Sequence, residues 1–477
     1  MKKIKITAII LLLSGMSISC SGGFEELNEN PNLITEISPG TLLNPIIYGV
    51  ASQNATQSVD VTFNLMQVSL PFPSITGGLH RYDVSNNIGN SAWNNYYKWL
   101  SNIREMRMVA VKAGDVNYEA VALTLNALVY ANLTDLFGPI PMTEAVRGED
   151  GILYPKYDKQ EFIYETLLAD LERANTLYDT SKAMIYTEDI LFQNNVLKWK
   201  KFTNSLKMRL LLRVSNRTET GAFQKLAYMA DHPEIYPVFT STAESAILKV
   251  TGVSPNVSPW GRPQDFNLSV KMASFFIDNL NTLEDPRRAI IATGATALVT
   301  NAPIGFKGID SGYAGSDSQF KYNASTLLNV QAQNPMQILI LTYAEVEFIK
   351  AELAQRGLIA DAAGHYEKGV RAGIEQLKAT VPANYFSKPE AQYNGTLERI
   401  MLQKYYALYF TDYQQWFEYR RTGFPVLPKT TAMLNDGIMP SRFTYPDNQQ
   451  IKNNENYLEA VEMVGGDNIN TKVWWDK

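Results

Sequence analysis

A single cysteine, Cys20, in 477 residues rules out any disulfide within the chain. Histidine is nearly as scarce. Only His80, His232 and His365 occur, and no two stand at the spacing that places two imidazoles on one helical face. No HExxH, no CxxC and no phosphate-binding glycine loop is present, so metal-hydrolase, dithiol and nucleotide chemistry have little material to draw on. Each histidine is expected in a surface or hydrogen-bonded loop position, and neither a cofactor nor a resident metal is expected. A basic excess is also missing. The net charge of -5 and pI near 5.5 lack the positive footprint that nucleic acid requires. The apolar stretch around Ile9 to Leu13 is too short to span a bilayer comfortably.

What is present is a globular composition, with 45% hydrophobic and 19% charged residues, enough for a sizeable core. Aromatic residues reach 11%, including 26 Tyr and 7 Trp. Most must be core because they bury large areas, which leaves a few for stacking on a ligand. At the N-terminus Lys2, Lys3 and Lys5 precede the apolar stretch and small residues follow it, the layout of an export signal over residues 1–19. Cys20 directly after it resembles the lipid-attachment cysteine of a bacterial lipoprotein, although Ser17, Ile18 and Ser19 lack the usual Leu three positions before it. The alternative is a plain secretory signal with a free thiol. Residues 20–40 then read as a polar tether and residues 41–477 as one domain.

Helical periodicity dominates the domain. Residues 41–69 carry a mixed helical pattern. Trp93, Tyr96, Leu100 and Ile103 mark one helix, and a second begins after Asp115, where a small-residue stripe of Ala120, Thr124, Ala127 and Ala131 allows close helix approach. Further pairs are predicted over 158–178 with 196–214, over 338–356 with 361–379, and over 396–427. In that last pair Leu402, Tyr405, Tyr409, Tyr413 and Trp416 keep one face. Thr411 or Asp412 is placed to cap its second helix, Arg420 and Arg421 to meet the carboxyl end, and Gly423 with Pro425 to stop it. Four such pairs predict a mostly α scaffold of tetratricopeptide-like units. Residues 238–335 are poor in periodicity and rich in turn residues, a long loop-rich insertion. A helix is expected over 270–280 within it, and the tail after Thr430 is expected to be extended.

The segments FEELNENPN (24–32), DLFGPIP (135–141), NPMQILILTYAEVEFIKAELAQRG (334–357) and QQWFEYRRTGFP (414–425) resemble the SusD/RagB family, surface nutrient-binding lipoproteins of Bacteroidetes. The resemblance covers nearly the whole chain after Cys20. It implies a lipid-anchored, non-catalytic protein on the outside of the outer membrane that binds a glycan and passes it to a SusC-like TonB-dependent transporter. The family's ligand positions differ between members, so the site must be read from the residues.

A sugar ring needs an aromatic face with polar groups around it, and loops supply both. Three clusters outside the helical pairs fit: Tyr82 with Arg81 and Asp83, Trp260 with Arg262 and Gln264, and Tyr313 with Asp310 and Asp317. The competing role for each aromatic is a loop anchor. Asp310 and Asp317 also permit an oxygen-ligand calcium site, for which solvated loop acids are the simpler account. Paired acids Glu345 and Glu352 offer a glycosidase alternative, against which stands a structural role with Arg420 or Arg421 as donors. A receptor for a non-glycan nutrient such as peptide is the other alternative.

Overall fold

The structure, a computed structural model, describes residues 37–477. The expected export signal, Cys20 and most of the expected tether lie outside the described residues. Ser38 to Lys477 form one compact unit. Its first helix, α1 (Pro39–Gln57), opens earlier than the domain boundary expected at 41, because Ser38 caps it by accepting from the Thr41 amide and Pro39 supplies a first-turn φ. It passes through a wider π-helical turn, Ser58–Thr62. The Ser58 and Thr62 hydroxyls there donate to the Asp412 carbonyl at 3.2 and 2.7 Å.

The predicted helix pairs are present. α2 (Asn90–Ala113) turns through Gly114, in the left-handed conformation, into α3 (Val116–Phe137). Asp115 stands at the cap position of α3, where its carbonyl accepts from the Glu119 amide but its side chain makes no capping bond. α3 is long and apolar enough to cross a membrane, yet it is buried along nearly its full length by its neighbours. Its small-residue stripe brings the Thr124 hydroxyl within 2.6 Å of the Thr203 hydroxyl, on the helix Val196–Arg213. α4 (Gln160–Leu177) and α5 (Val196–Arg213) form the second pair, followed by α6 (Ala222–Asp231). After α7 (Ser274–Thr282) come α8 (Tyr343–Gln355) and α9 (Ala362–Glu375), the latter capped by Asp361. α10 (Leu397–Ala407), capped by Thr396, leads to α11 (Gln414–Thr422).

α11 collects charge from much of the scaffold. Arg421 grips Glu352 of α8 through both carboxylate oxygens at 2.9 and 2.7 Å and also reaches Glu418 at 2.8 Å. Lys404 of α10 binds Glu418 at 2.7 Å. Arg213 of α5 bridges Asp135 of α3 and Gln414, and Arg420 meets Asp476 near the C-terminus. Burial opposes charge at these sites, but the surrounding cations hold the Glu352 and Glu418 carboxyls below their usual range. Gly423 ends α11 at φ 77°. The expected side-chain cap is corrected, since Tyr413 holds the cap position and no side chain bonds the first-turn amides. Asp412 points instead into a buried polar knot with Asn54, Asn132 and the Gln414 amide.

Two predicted helices start as strands. Met336–Leu341 is β6, antiparallel to β2 (Ala246–Val250), and Val270–Met272 is β3, antiparallel to β1 (Ser69–Pro71). A third pair joins β4 (Thr296–Ala297) to β5 (Tyr322–Asn323). The loop-rich insertion carries most of these strands and, with Leu70 of β1, builds a satellite core of Ala273, Ile309, Tyr313, Phe320 and Ala324. The tail is not wholly extended either. Asp447–Lys452 and α12 (Asn454–Val464) are helical, with Ala460 and Val464 on the buried face.

Candidate functional site

The loop 251–269 holds Trp260 by fixing its backbone at several points. The Tyr48 hydroxyl of α1 donates to the Val257 carbonyl at 2.9 Å. The Ser258 hydroxyl donates to Ala332 at 2.7 Å, and the Asn334 side chain accepts from the Ser258 amide at 2.8 Å. The Trp260 ring is half-buried. It stacks on Phe410 with centroids 5.9 Å apart and planes 29° from parallel, while Phe266 meets it edge-on at 5.2 Å. Offset stacking and edge contacts of this kind fix ring orientation. Beside it Gln264 is exposed, and Arg262 and Asp265 form an exposed pair at 2.7 Å that lowers the carboxyl pKa and raises that of the guanidinium. Phe410 also lines a cavity of about 210 Å³ with Val330, Gln331, Met336 and Leu377.

The other two clusters come together in one place, and the reading of their tyrosines as open platforms is corrected. Tyr82 and Tyr313 are 1% and 3% exposed, too buried to offer a face to a sugar. Tyr313 packs edge-on against Phe320 in the satellite core and donates to the Pro71 carbonyl at 2.9 Å. Arg81 donates to Ala432 at 2.6 Å, which anchors the tail. Asp317 accepts from the Ser74 amide at 2.9 Å. Asp83 is exposed and accepts from Gly78, and Asp310 is exposed beside Ser274. Among the described residues no group of three His, Cys, Asp or Glu side chains is arranged to hold a metal ion.

His80 lies among these loops. It is fully buried, and neither ring nitrogen has a protein partner, contrary to the expected surface or hydrogen-bonded placement. Burial, reinforced by Arg81, lowers its pKa to about 4. His232 is stacked on Tyr228, and His365 sits 2.7 Å from Glu347. The acids Glu345 and Glu352 are both buried and gripped by Arg209 and Arg421. Phe410, Phe266 and Asn334 were not singled out from sequence. No local pattern marks them, since each matters only through the loop it meets.

A family model of SusD-like proteins, described as "Starch-binding associating with outer membrane", matches residues 31–446. The chain belongs to the SusD/RagB family. Among solved structures, this SusD-like chain is similar to a chitin-binding protein at 26% identity and TM-score 0.78, with 92% of this chain and 100% of that one covered. A SusD homologue from Bacteroides fragilis matches at 23% identity and TM-score 0.77, covering 93% and 100%. A chitin-binding SusD homologue from Flavobacterium johnsoniae matches at 21% and 0.76, covering 91% and 99%. No curated protein matches the chain.

Proposed function

We propose that this SusD-like protein captures oligosaccharide or polysaccharide outside the outer membrane and delivers it to a SusC-like TonB-dependent transporter. In this reading Cys20 carries the lipid anchor, the residues between it and the Ser38 cap of α1 are the tether, and the protein performs no chemistry on its ligand. The observation that carries the binding step is Trp260, a half-buried indole on a loop braced at Val257 and Ser258, with Gln264, Arg262 and Asp265 at its rim. The ring supplies the apolar face, and the rim supplies donors and acceptors for hydroxyl groups. Arg81 and Asp83 stand as outlying polar contributors. A chitin-binding relative at 26% identity supports a saccharide over a peptide.

Electrophoresis of the purified protein through native gels containing a panel of polysaccharides tests this. Retardation by at least one glycan, weakened in Trp260→Ala, is the expected result. Unchanged migration in every gel, together with no binding of soluble oligosaccharides, would remove the glycan assignment and leave a non-glycan nutrient. Release of reducing ends by the protein would contradict the non-catalytic role.

A further inference from the structure

A second, longer groove follows α4 and shares no residue with the Trp260 loop. One part, of about 560 Å³, lies between the start of α4 at Lys159 and Glu161, α12 at Glu459 and Glu462, and Trp474. The other, of about 390 Å³, continues over Glu165, Leu168 and Glu172 toward Leu211 of α5 and Lys225 of α6. Glu161 and Trp474 line both parts, so the two meet at the indole. Positions 161, 165, 168 and 172 recur every three or four residues and hence share one helix face. At 1.5 Å per residue they extend over roughly 16 Å, which is room for several sugar rings.

The two consecutive tryptophans at the C-terminus are treated differently by the fold. Trp475 is fully buried, and its indole nitrogen donates to Asp135 at 2.7 Å. Trp474 is half-buried with the Arg217 guanidinium 5.2 Å from its ring, and its indole nitrogen has no protein acceptor. The walls around it alternate carboxylates and ammonium groups, with carboxylates in excess. Glu172 is engaged by Lys207 and Glu219 by Arg217, whereas Glu165, Glu459 and Glu462 form no ion pair among the described residues. A partner helix would need an apolar stripe to dock on, and an added strand an open sheet edge. The walls are helical, so no sheet edge is present, and on the α4 wall Leu168 stands among Glu161, Glu165 and Glu172, so no unbroken apolar stripe runs along it.

We infer that this groove is a second saccharide site, which takes an extended oligosaccharide that is uncharged or amine-bearing and excludes uronates and sulfated chains. The inference rests on the glycan reading above. Trp474, which lines both parts of the groove, supplies the stacking surface. The carboxylates accept from hydroxyl or ammonium groups and repel anionic sugars.

Calorimetric titration with an oligosaccharide that the protein retains tests it, using the wild type, Trp260→Ala, Trp474→Ala and Glu165→Arg. Glu165 is exposed, so its replacement leaves the core intact. The expected wild-type stoichiometry is two per chain. Trp474→Ala and Glu165→Arg each weaken one of the two sites by roughly tenfold or more, and Trp260→Ala weakens only the other. A uronate or sulfated oligomer gives no heat at the groove. One site per chain, lost in Trp260→Ala and untouched by Glu165→Arg, would overturn the second site while leaving the first. No heat from any glycan would overturn both. Binding of a Lys-rich peptide, lost in Glu165→Arg and with no second glycan site, would assign the groove to a protein partner and overturn the inference.

Discussion

At the scale of single residues, the fold resists putting a charge on His80. An unfolded histidine takes up its proton near pH 6.5, whereas the folded one does so only near 4. The unfolded state therefore binds more protons across that window, and stability must fall as the pH is lowered through it. The shift corresponds to about 3 kcal/mol. Denaturant unfolding at pH 7 and pH 4.5 should show wild type losing stability, and His80→Phe losing distinctly less over the same interval. Equal losses in the two proteins would place the acid sensitivity elsewhere. The carboxylates of α11 act alongside it. Glu352 and Glu418 have lowered folded pKa values, so their contribution is full above the ordinary carboxylate range and is lost only in stronger acid. Asp412 and Asp135 run the other way, because burial raises both.

Among the elements, helices were legible in the sequence wherever one face alternated with polar positions, as in α2, α4 and α9. The misread starts share one cause. MQILIL is apolar on both sides because β6 is buried almost throughout, and periodicity cannot separate such a strand from a buried helix. The Arg421 to Glu352 pair was legible, since a buried acid on one helix needs a cation from another. The cap of α11 was not, because the Asp412 carboxylate turns into the buried knot with Asn54, Asn132 and the Gln414 side chain, and in its own turn it accepts from the Tyr413 amide at the cap position rather than from the first-turn amides. Close approach between elements is equally hidden in sequence. A Cβ placed on Gly49 of α1 would lie 1.8 Å from the Trp99 ring of α2, so the two helices meet there only because the side chain is absent. Gly49→Ala would normally favour a helix. Here it should instead destabilise by about 1–3 kcal/mol, since the indole must move out of its packing. A denaturation midpoint equal to or above that of wild type would show that Trp99 repacks freely.

For the molecule as a whole, the candidate site depends on contacts between segments far apart in the chain, which explains why the sequence marks Trp260 as a candidate but not what holds it. Tyr48 comes from the first helix, Ser258 from the insertion, Asn334 from just before β6, and Phe410 from the link between α10 and α11. The same long-range assembly turned Tyr82 and Tyr313 inward, where composition alone left both roles open. If the scaffold orients the indole before any ligand arrives, then loosening the loop should cost affinity with little change in global stability, because the ordering must then occur on binding. Tyr48→Phe removes one brace and Asn334→Ala another, and neither alters the ring face. Each should weaken glycan retention several-fold, and the pair more than either alone, while the unfolding free energy changes by about 1 kcal/mol per hydrogen bond. Retention equal to wild type in the double variant would mean that Phe410 and Phe266 suffice to orient Trp260, and that the helical scaffold supports the site only by carrying α10 and α11.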